Sequence, residues 1–203
     1  MSVLARHKIQ ERLALPITDP SSLLITPLVD PESVFDADAV DLRLGCHFLV
    51  SQVPPQPFFS PDQAATGRAY HQRIHVPLGG NLVVPAHETV LGATLEFIKL
   101  PHNVAGQILT KSSVARTFIV IETAPWVHPY YRGCLTLEIA NVSNTPVLLY
   151  PGLPIGQLVL FDVNDAPIPS KLSGRYLGPI YPEAPHMRSA TAELQKLGYP
   201  ATL

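Results

Sequence analysis

The chain has 203 residues, of which 46% are hydrophobic and 15% are charged, and this composition excludes an intrinsically disordered protein. Its length suits one folded domain with a sizeable core. Because the formal net charge is only -2 and no apolar run reaches the roughly 18 residues of a membrane-spanning helix, we expect neither a nucleic acid nor a membrane as a partner.

The first fifty residues predict a short helix, an arm and then strands. Apolar residues recur near helical spacing in 2–13, with Ser2 as the predicted helix cap and Pro16 beyond the helix end. Apolar and polar residues then alternate at the start of 41–50. This segment predicts a strand, a turn at Gly45 and a second strand.

Residues 38–163 carry the densest strand signals in the chain. Short runs rich in Val, Ile, Leu and Thr are separated by Pro, Gly and Asn, and the 22 prolines are roughly twice the usual share of about 5%. This pattern predicts an all-β dominated fold, a barrel or a jelly roll. We expect one domain over 1–203, with an N-terminal helix and arm at 1–37, the β core at 38–163, and a C-terminal tail at 164–203 that is at best partly ordered without a partner.

Cysteine and histidine spacing predicts no metal centre. Cys46 and Cys134 lie far apart without CxxC spacing, so we expect neither a disulfide framework nor a thiolate zinc site, and a cytoplasmic location fits. The H-x-E and P-C-x-x-C elements of zinc deaminases are absent. His71 and His75 are four residues apart, but in a loop and strand and not on a helix face. We therefore expect no zinc.

A polar segment follows one of the strand signals. Lys111, Ser112, Ser113 and Arg116 offer two cations and two hydroxyls within six residues, which suits a phosphate or a developing oxyanion. The GxxxxGK[ST] pattern of a nucleotide P-loop is excluded because Thr110, and not glycine, precedes the lysine. From this segment alone, a plain polar turn explains the residues equally well.

The stretch RGCLTLEIAN, residues 132–141, predicts a β-strand with a carboxylate in its middle. Leu135, Leu137 and Ile139 share one face, and Glu138 lies on the other among small, weakly polar neighbours. A solvent-facing glutamate on a half-buried strand fits this alternation. The small neighbours are more typical of a pocket or an interface, so the residues alone leave both interpretations open.

Five segments of the chain stand in one order: DAVDLRLG, VLGATLEFIKLPHNVAG, TKSSVAR, ETAPWVHPYYRGCLTLEIAN and YPGLPIGQLVLF. Together they resemble the dCTP deaminase family of the trimeric dUTPase-like fold, over residues 1–182. The resemblance implies a distorted jelly roll that assembles as a homotrimer with active sites between subunits. It implies a hydrolase that acts on the C–N bond of a cyclic amidine and converts dCTP to dUTP and ammonia.

The resemblance also implies roles for individual residues. Glu138 is expected to be the general base that deprotonates the attacking water, and Ser112 and Arg116 are expected to orient that water and stabilise the tetrahedral intermediate. No metal is expected to activate the water, and Mg²⁺ is expected to arrive with the substrate triphosphate. The other residues expected to contact the nucleotide are Lys111, Ser113, Thr123, Ala124, Trp126, Tyr131, Gln157, Arg175 and Tyr176.

Two departures from the family pattern keep other functions open. His128 stands where dUTP pyrophosphatases and bifunctional relatives carry a water-activating aspartate, which argues against pyrophosphatase activity. The tail segment from Tyr176 to Pro182 lacks the glutamine of the family's Y-x-x-Q-x-G-P. A non-catalytic nucleotide-binding homologue is therefore a third interpretation, beside the deaminase and a pyrophosphatase or bifunctional enzyme.

Overall fold

The computed structural model describes residues 1–31, 35–36, 38–52, 70–163, 178–184 and 195–196. The prediction of an all-β dominated fold is confirmed. The elements in chain order are β1 (Ser2–Val3), α1 (Arg6–Leu13), β2 (Leu24–Thr26), β3 (Phe35–Asp36), β4 (Ala39–Ser51), β5 (His71–His75), β6 (Leu82–Val84), β7 (Thr89–Lys99), β8 (Val104–Thr110), α2 (Ser112–Ala115), β9 (Ile119–Ile121), β10 (Trp126–Val127), β11 (Arg132–Asn141), β12 (Val147–Leu149) and β13 (Pro154–Asp162).

Eleven strands form one sheet, and their pairings are antiparallel. The main path runs β10-β8-β13-β4-β7-β11-β9, while β1 pairs with β13, β2 with β7, and β3 and β5 with β4. Strands β12 and β6 form a separate two-stranded sheet. Fully buried leucine and isoleucine side chains of β4, β11 and β13 fill the core, and each contributes roughly 1.5–3 kcal/mol of transfer free energy.

Strand β4 connects the two halves of the large sheet. Its residues 39–43 pair with β13, and its residues 44–50 pair with β7. The turn predicted at Gly45 is wrong, because the chain continues through this glycine as one strand. A Cβ atom at Gly45 would lie 2.9 Å from the carbonyl oxygen of Ala93, so glycine serves here for a close backbone approach and not for a reversal.

The N-terminal helix is present, but it starts later than the sequence predicts. α1 begins at Arg6, and its N-cap residue is Ala5, which makes no side-chain capping bond. Ser2 instead belongs to β1 and pairs with Asp162 of β13. The predicted serine cap is wrong because backbone pairing with β13 holds the first residues extended, as the bond from the Leu4 amide to the Leu160 carbonyl shows (2.8 Å).

Residues 178–184, which we call the strap, lie along the outer edge of β11. The Gly178 amide donates to the Arg132 carbonyl at 2.6 Å, and the Cys134 amide donates to the Pro179 carbonyl at 2.7 Å. Between these bonds Gly133 adopts a φ of 140°, and a Cβ there would lie 2.5 Å from the Pro179 Cδ. Part of the predicted tail is thus bonded to the strand that carries Glu138.

A cluster of rings holds the strap against β4 and β5. The Tyr181 ring meets the His47 ring edge to face, with centroids 4.5 Å apart, and the Arg73 guanidinium carbon lies 5.2 Å from the Tyr181 centroid. His47 also contacts His75, its cross-strand neighbour, at 4.7 Å between centroids. Burial lowers the pKa of His47, and the charges of His75 and Arg73 lower it further.

Stability is expected to fall at acidic pH through His47. Its pKa in the folded protein lies below the ordinary value of about 6.5, so the unfolded state binds the proton first. The free energy of unfolding should therefore decrease as the pH falls from about 6.5 through the lowered pKa. Urea denaturation at several pH values checks this. The free energy of unfolding of His47→Gln should fall less steeply with decreasing pH than that of the parent protein. The control is His87→Gln, since His87 is exposed and its ring contacts Asn144 at 2.9 Å. Equal slopes for the parent and His47→Gln would contradict the expectation.

Candidate active site

Glu138 is fixed in the middle of β11. The strand prediction for 132–141 is confirmed, and the flanking Leu137 and Ile139 are fully buried while Glu138 is half-buried. The Glu138 amide donates to the Thr123 Oγ1 at 2.8 Å, and its carbonyl accepts the Glu122 amide at 2.8 Å. On the other side Glu138 pairs with Leu91 of β7. These bonds fix the backbone from which the Glu138 carboxylate extends.

The segment around Thr123 is attached to the outer edge of β11. The Thr123 hydroxyl accepts the Glu138 amide and donates to the Thr136 carbonyl at 3.4 Å. The Thr136 hydroxyl in turn accepts the Glu183 amide of the strap at 3.2 Å. Ala124 follows with its small side chain exposed. The Thr123 side chain therefore orients the segment on which we expect the nucleotide base to lie.

The polar segment after β8 forms the short helix α2. Lys111 is its N-cap residue, and the Lys111 carbonyl accepts the amides of Val114 and Ala115, each at 2.9 Å. Val114 is buried and attaches the helix to the core. Ser112, Ser113 and the C-cap residue Arg116 are exposed. The helix thus presents two hydroxyls and a guanidinium group to the outside of this chain.

Lys111 and Gln157 share a buried carboxylate, Asp41. The Lys111 Nζ lies 2.5 Å from one oxygen of Asp41, and the Gln157 Nε2 donates to the other oxygen at 3.2 Å. Asp41 is 6% exposed. We did not predict its role from the sequence. The available signal was an acidic residue between Val40 and Leu42 in a strand, since carboxylates are rarely buried unless they are paired.

Tyr131 and Trp126 are engaged within the chain. The Tyr131 hydroxyl donates to the Cys134 carbonyl at 2.8 Å, and burial raises the pKa of Tyr131, with further contributions from Cys134 and Glu183. The Trp126 ring lies 5.8 Å from the Phe161 ring at a tilt of 36°. Trp126 pairs with Gln107 of β8, so its indole packs on the β8–β13 part of the sheet.

The structure brings together only part of the expected site. Helix α2 leads into β9, which pairs with β11 next to Glu138. Among the residues that the structure describes, no hydrogen bond or ion pair joins the Glu138 carboxylate to Ser112 or Arg116. Arg175 and Tyr176 lie outside the described residues, so their expected role in gripping the triphosphate stays a prediction.

The described ranges show neither a metal cluster nor a membrane-spanning helix. No group of three or more His, Cys, Asp or Glu side chains there is arranged to hold a metal ion. No helix within the same ranges is long and apolar enough to cross a bilayer.

The chain matches a family model described as dCTP deaminase-like over residues 3–163. It belongs to this family. A relative from Coprothermobacter proteolyticus, named dCTP deaminase, dUMP-forming, is 37% identical over 80% of this chain and 86% of its own length. One of the same name from Methanobrevibacter smithii is 30% identical over 93% of this chain and 96% of its own. A relative from Haloarcula marismortui, named dCTP deaminase, is 31% identical over 82% of this chain and 87% of its own.

Among solved structures, the family fold is found in the 2'-deoxycytidine 5'-triphosphate deaminase of Agrobacterium tumefaciens. The match has a TM-score of 0.58 and 20% sequence identity, and it covers 78% of this chain. This chain spans only 47% of that longer protein. The likeness shows a shared fold.

Proposed function

We propose that the protein hydrolyses dCTP at the cytosine amino group and releases ammonia without a metal-activated water. The observation that carries the proposal is Glu138, a half-buried residue whose backbone bonds to Glu122 and Thr123 and which lies opposite Leu91 of β7. The names of relatives that are 30–37% identical support a cytosine deoxynucleotide as the substrate. The proposed cellular location is the cytoplasm.

In the proposed reaction Glu138 takes a proton from water as the water oxygen bonds to C4 of the cytosine. The resulting tetrahedral intermediate collapses with cleavage of the bond from C4 to the exocyclic nitrogen. Before this cleavage Glu138 passes the water proton to N3 of the ring. It then takes the proton of the C4 hydroxyl as the C4 carbonyl forms and gives it to the departing nitrogen, which leaves as ammonia, so that uracil remains. The Ser112 hydroxyl and the Arg116 guanidinium are the donors that would orient the water and stabilise the charge of the intermediate, a contribution worth about 10²-fold or more in rate for each.

We propose that a second copy of the chain completes the site, in a homotrimer. Two observations support this. Arg116 and Glu138 are not joined within the described part of one chain, and a large apolar side chain, Phe118, is 60% exposed three residues after the end of α2. Phe118 has a φ of 62° and its carbonyl accepts the amide of Val142, which is 50% exposed. A neighbouring subunit that covers this apolar pair would lie next to both α2 and β11.

Phe118→Asp is therefore expected to convert a trimer to monomers and to lower ammonia release at least about tenfold, because a buried charge at an interface opposes association. Sedimentation velocity measures the oligomeric state, and the ammonia assay measures turnover. The matched control is Leu78→Asp, which introduces the same charge at a side chain that is 66% exposed. A monomeric parent protein, or a fully active monomeric variant, would contradict the proposed trimer.

The nucleotide product is either dUTP or dUMP. The dUMP-forming names of two relatives favour a second candidate function, in which pyrophosphate is also released. Against it stands His128, at the position where the family resemblance places a water-activating aspartate. We propose dUTP as the product on this ground, and the assay below decides between the two.

Mg²⁺ is proposed to arrive with the triphosphate and not as a resident metal. Both oxygens of Asp41 are engaged by Lys111 and Gln157, and α2 offers only hydroxyls and a cation, which match phosphate oxygens better than a metal ion. When bound, Mg²⁺ supplies positive charge to the phosphate oxygens.

One assay tests the proposed function. The protein is incubated with Mg²⁺ and either dCTP or dUTP, and ammonia and pyrophosphate are measured separately. Ammonia without pyrophosphate supports deamination to dUTP, and equal amounts of both support the dUMP-forming activity. Pyrophosphate from dUTP without ammonia from dCTP supports a pyrophosphatase. Binding of dCTP without any product would show a non-catalytic homologue.

A further inference from the structure

Asp41 binds two residues that the family resemblance assigns to the nucleotide. It lies on β4 directly opposite Gln157 of β13, and each of its carboxylate oxygens contacts one partner, the Lys111 Nζ at 2.5 Å and the Gln157 Nε2 at 3.2 Å. Asp41 is 6% exposed, and the Lys111 side chain is 22% exposed. A carboxylate buried to this degree requires such partners, since an unpaired buried charge is strongly unfavourable.

The contact with Asp41 fixes the start of helix α2. The Lys111 amide donates to the Ile155 carbonyl of β13 at 3.0 Å, and the Lys111 carbonyl accepts the first two amide bonds of the helix. The Lys111 side chain is attached to β4 through Asp41. Lys111 is thus held at its backbone and at its side chain, and Ser112 is the next residue. A displacement of Lys111 would displace the Ser112 hydroxyl with it.

We propose that Asp41 is a positioning residue for the reaction. It holds Lys111 and Gln157 in place and, through Lys111, sets the position of Ser112; this inference rests on the proposed function. The negative charge of Asp41 also lies beside a cation that would bind the triphosphate. The carboxylate therefore favours the geometry needed for turnover and lowers the affinity for an anionic ligand, because it partly neutralises the Lys111 ammonium that the anion would bind.

Asp41→Asn separates these two effects, because the amide has nearly the same shape but no charge. The dissociation constant of inorganic tripolyphosphate should decrease about threefold or more at low ionic strength. The kcat of ammonia release from dCTP should decrease about tenfold or more, since small displacements of catalytic groups have large effects on rate. General damage to the fold would weaken binding and slow turnover together. Tighter tripolyphosphate binding combined with slower turnover therefore distinguishes positioning from a merely structural role.

A double-mutant cycle with Lys111→Gln tests whether Asp41 acts through Lys111. In the Lys111→Gln background, Asp41→Asn should change neither the dissociation constant nor kcat by more than about twofold. The matched control is Asp162→Asn, which removes a carboxylate of β13 that lies 3.7 Å from Arg12. This control should retain the parent values. Thermal unfolding of each variant is measured in parallel.

A second variant, Asp41→Glu, keeps the charge and moves the carboxylate by one methylene. It should retain the tripolyphosphate affinity within about twofold and still show a lower kcat. The proposal also remains testable with this variant where Asp41→Asn fails to fold.

The outcomes separate the two proposals. Weaker tripolyphosphate binding by Asp41→Asn, or effects that persist in the Lys111→Gln background, would overturn the role of Asp41. If the parent protein releases no ammonia from dCTP, the proposed function is wrong. The dissociation constants of tripolyphosphate in the double-mutant cycle then decide by themselves whether Asp41 acts through Lys111. A parent protein that does not bind tripolyphosphate overturns the role of Asp41 as well.

Discussion

Glu138→Gln is expected to lower the rate of ammonia release from dCTP by about 10³-fold, because an amide cannot take the proton from the attacking water. The substitution keeps the size of the side chain and leaves the backbone bonds to Thr123 and Glu122 unchanged. The dissociation constant of dCTP should therefore change by less than about threefold, as expected for an interaction that acts in the transition state. Ammonia release and equilibrium binding of dCTP are the two measurements.

The matched control for this substitution is Glu122→Gln. Glu122 lies on the neighbouring segment, its amide is bonded to the Glu138 carbonyl, and its side chain is exposed. It should retain the parent rate within about twofold, since the substitution leaves the backbone bond to Glu138 unchanged and removes only an exposed charge. If Glu138→Gln deaminates dCTP at the parent rate, the proposed mechanism is wrong. If the two variants lose activity equally, a general loss of negative charge at this edge explains the result better than a base.

Arg43→Met is expected to lower the free energy of unfolding by about 3–5 kcal/mol, because it leaves Glu96 as a buried charge without its partner. The Glu96 side chain is 0% exposed, one of its oxygens accepts the Arg43 amide at 2.9 Å, and the other lies 3.6 Å from the Arg43 guanidinium. Urea denaturation measures the change. The control is Lys8→Met, which breaks the exposed ion pair with Glu11 and should cost less than about 1 kcal/mol.

The decrease in the free energy of unfolding caused by Arg43→Met is also expected to depend on pH. Burial raises the pKa of Glu96, and the contacts with Arg43 lower it in part, so removal of the arginine should raise it further. A carboxyl group with a raised pKa in the folded state favours folding at acidic pH, and this contribution is lost as the pH rises through the raised value. The difference from the parent protein should therefore be smaller near pH 5 than near pH 8. An equal difference at both pH values would contradict the assignment to Glu96.

Alternation of residue types was sufficient to predict the strand that carries Glu138. Its buried face, with Leu137 and Ile139, follows from apolar residues at every second position. The pattern of residue types within one strand does not show which other segments of the chain pack beside that strand. The bonds from Glu138 to Thr123 and Glu122 depend on the approach of a separate segment, and so sequence pattern alone could not predict them.

The wrong predictions at Gly45 and Ser2 have one physical cause. Glycine in a turn and serine at a helix start are local preferences of about 1 kcal/mol or less. Pairing of β4 with β13 and β7, and of β1 with β13, forms several backbone hydrogen bonds at once and overrides them. Asp41 was missed for a related reason. Its partners, Lys111 and Gln157, are 70 and 116 residues away along the chain, and only the folded sheet brings them together.

The strap has a consequence for the integrity of the sheet. The region that matches the family model ends at residue 163, whereas the strap begins at residue 178. A protein shortened to the matched region would keep Glu138, Ser112 and Arg116, but the Arg132 carbonyl and the Cys134 amide at the edge of β11 would lose their partners in the strap. An open, partly apolar strand edge can pair with strands of other molecules. Residues 178–184 therefore cover a part of the β11 edge that would otherwise be open.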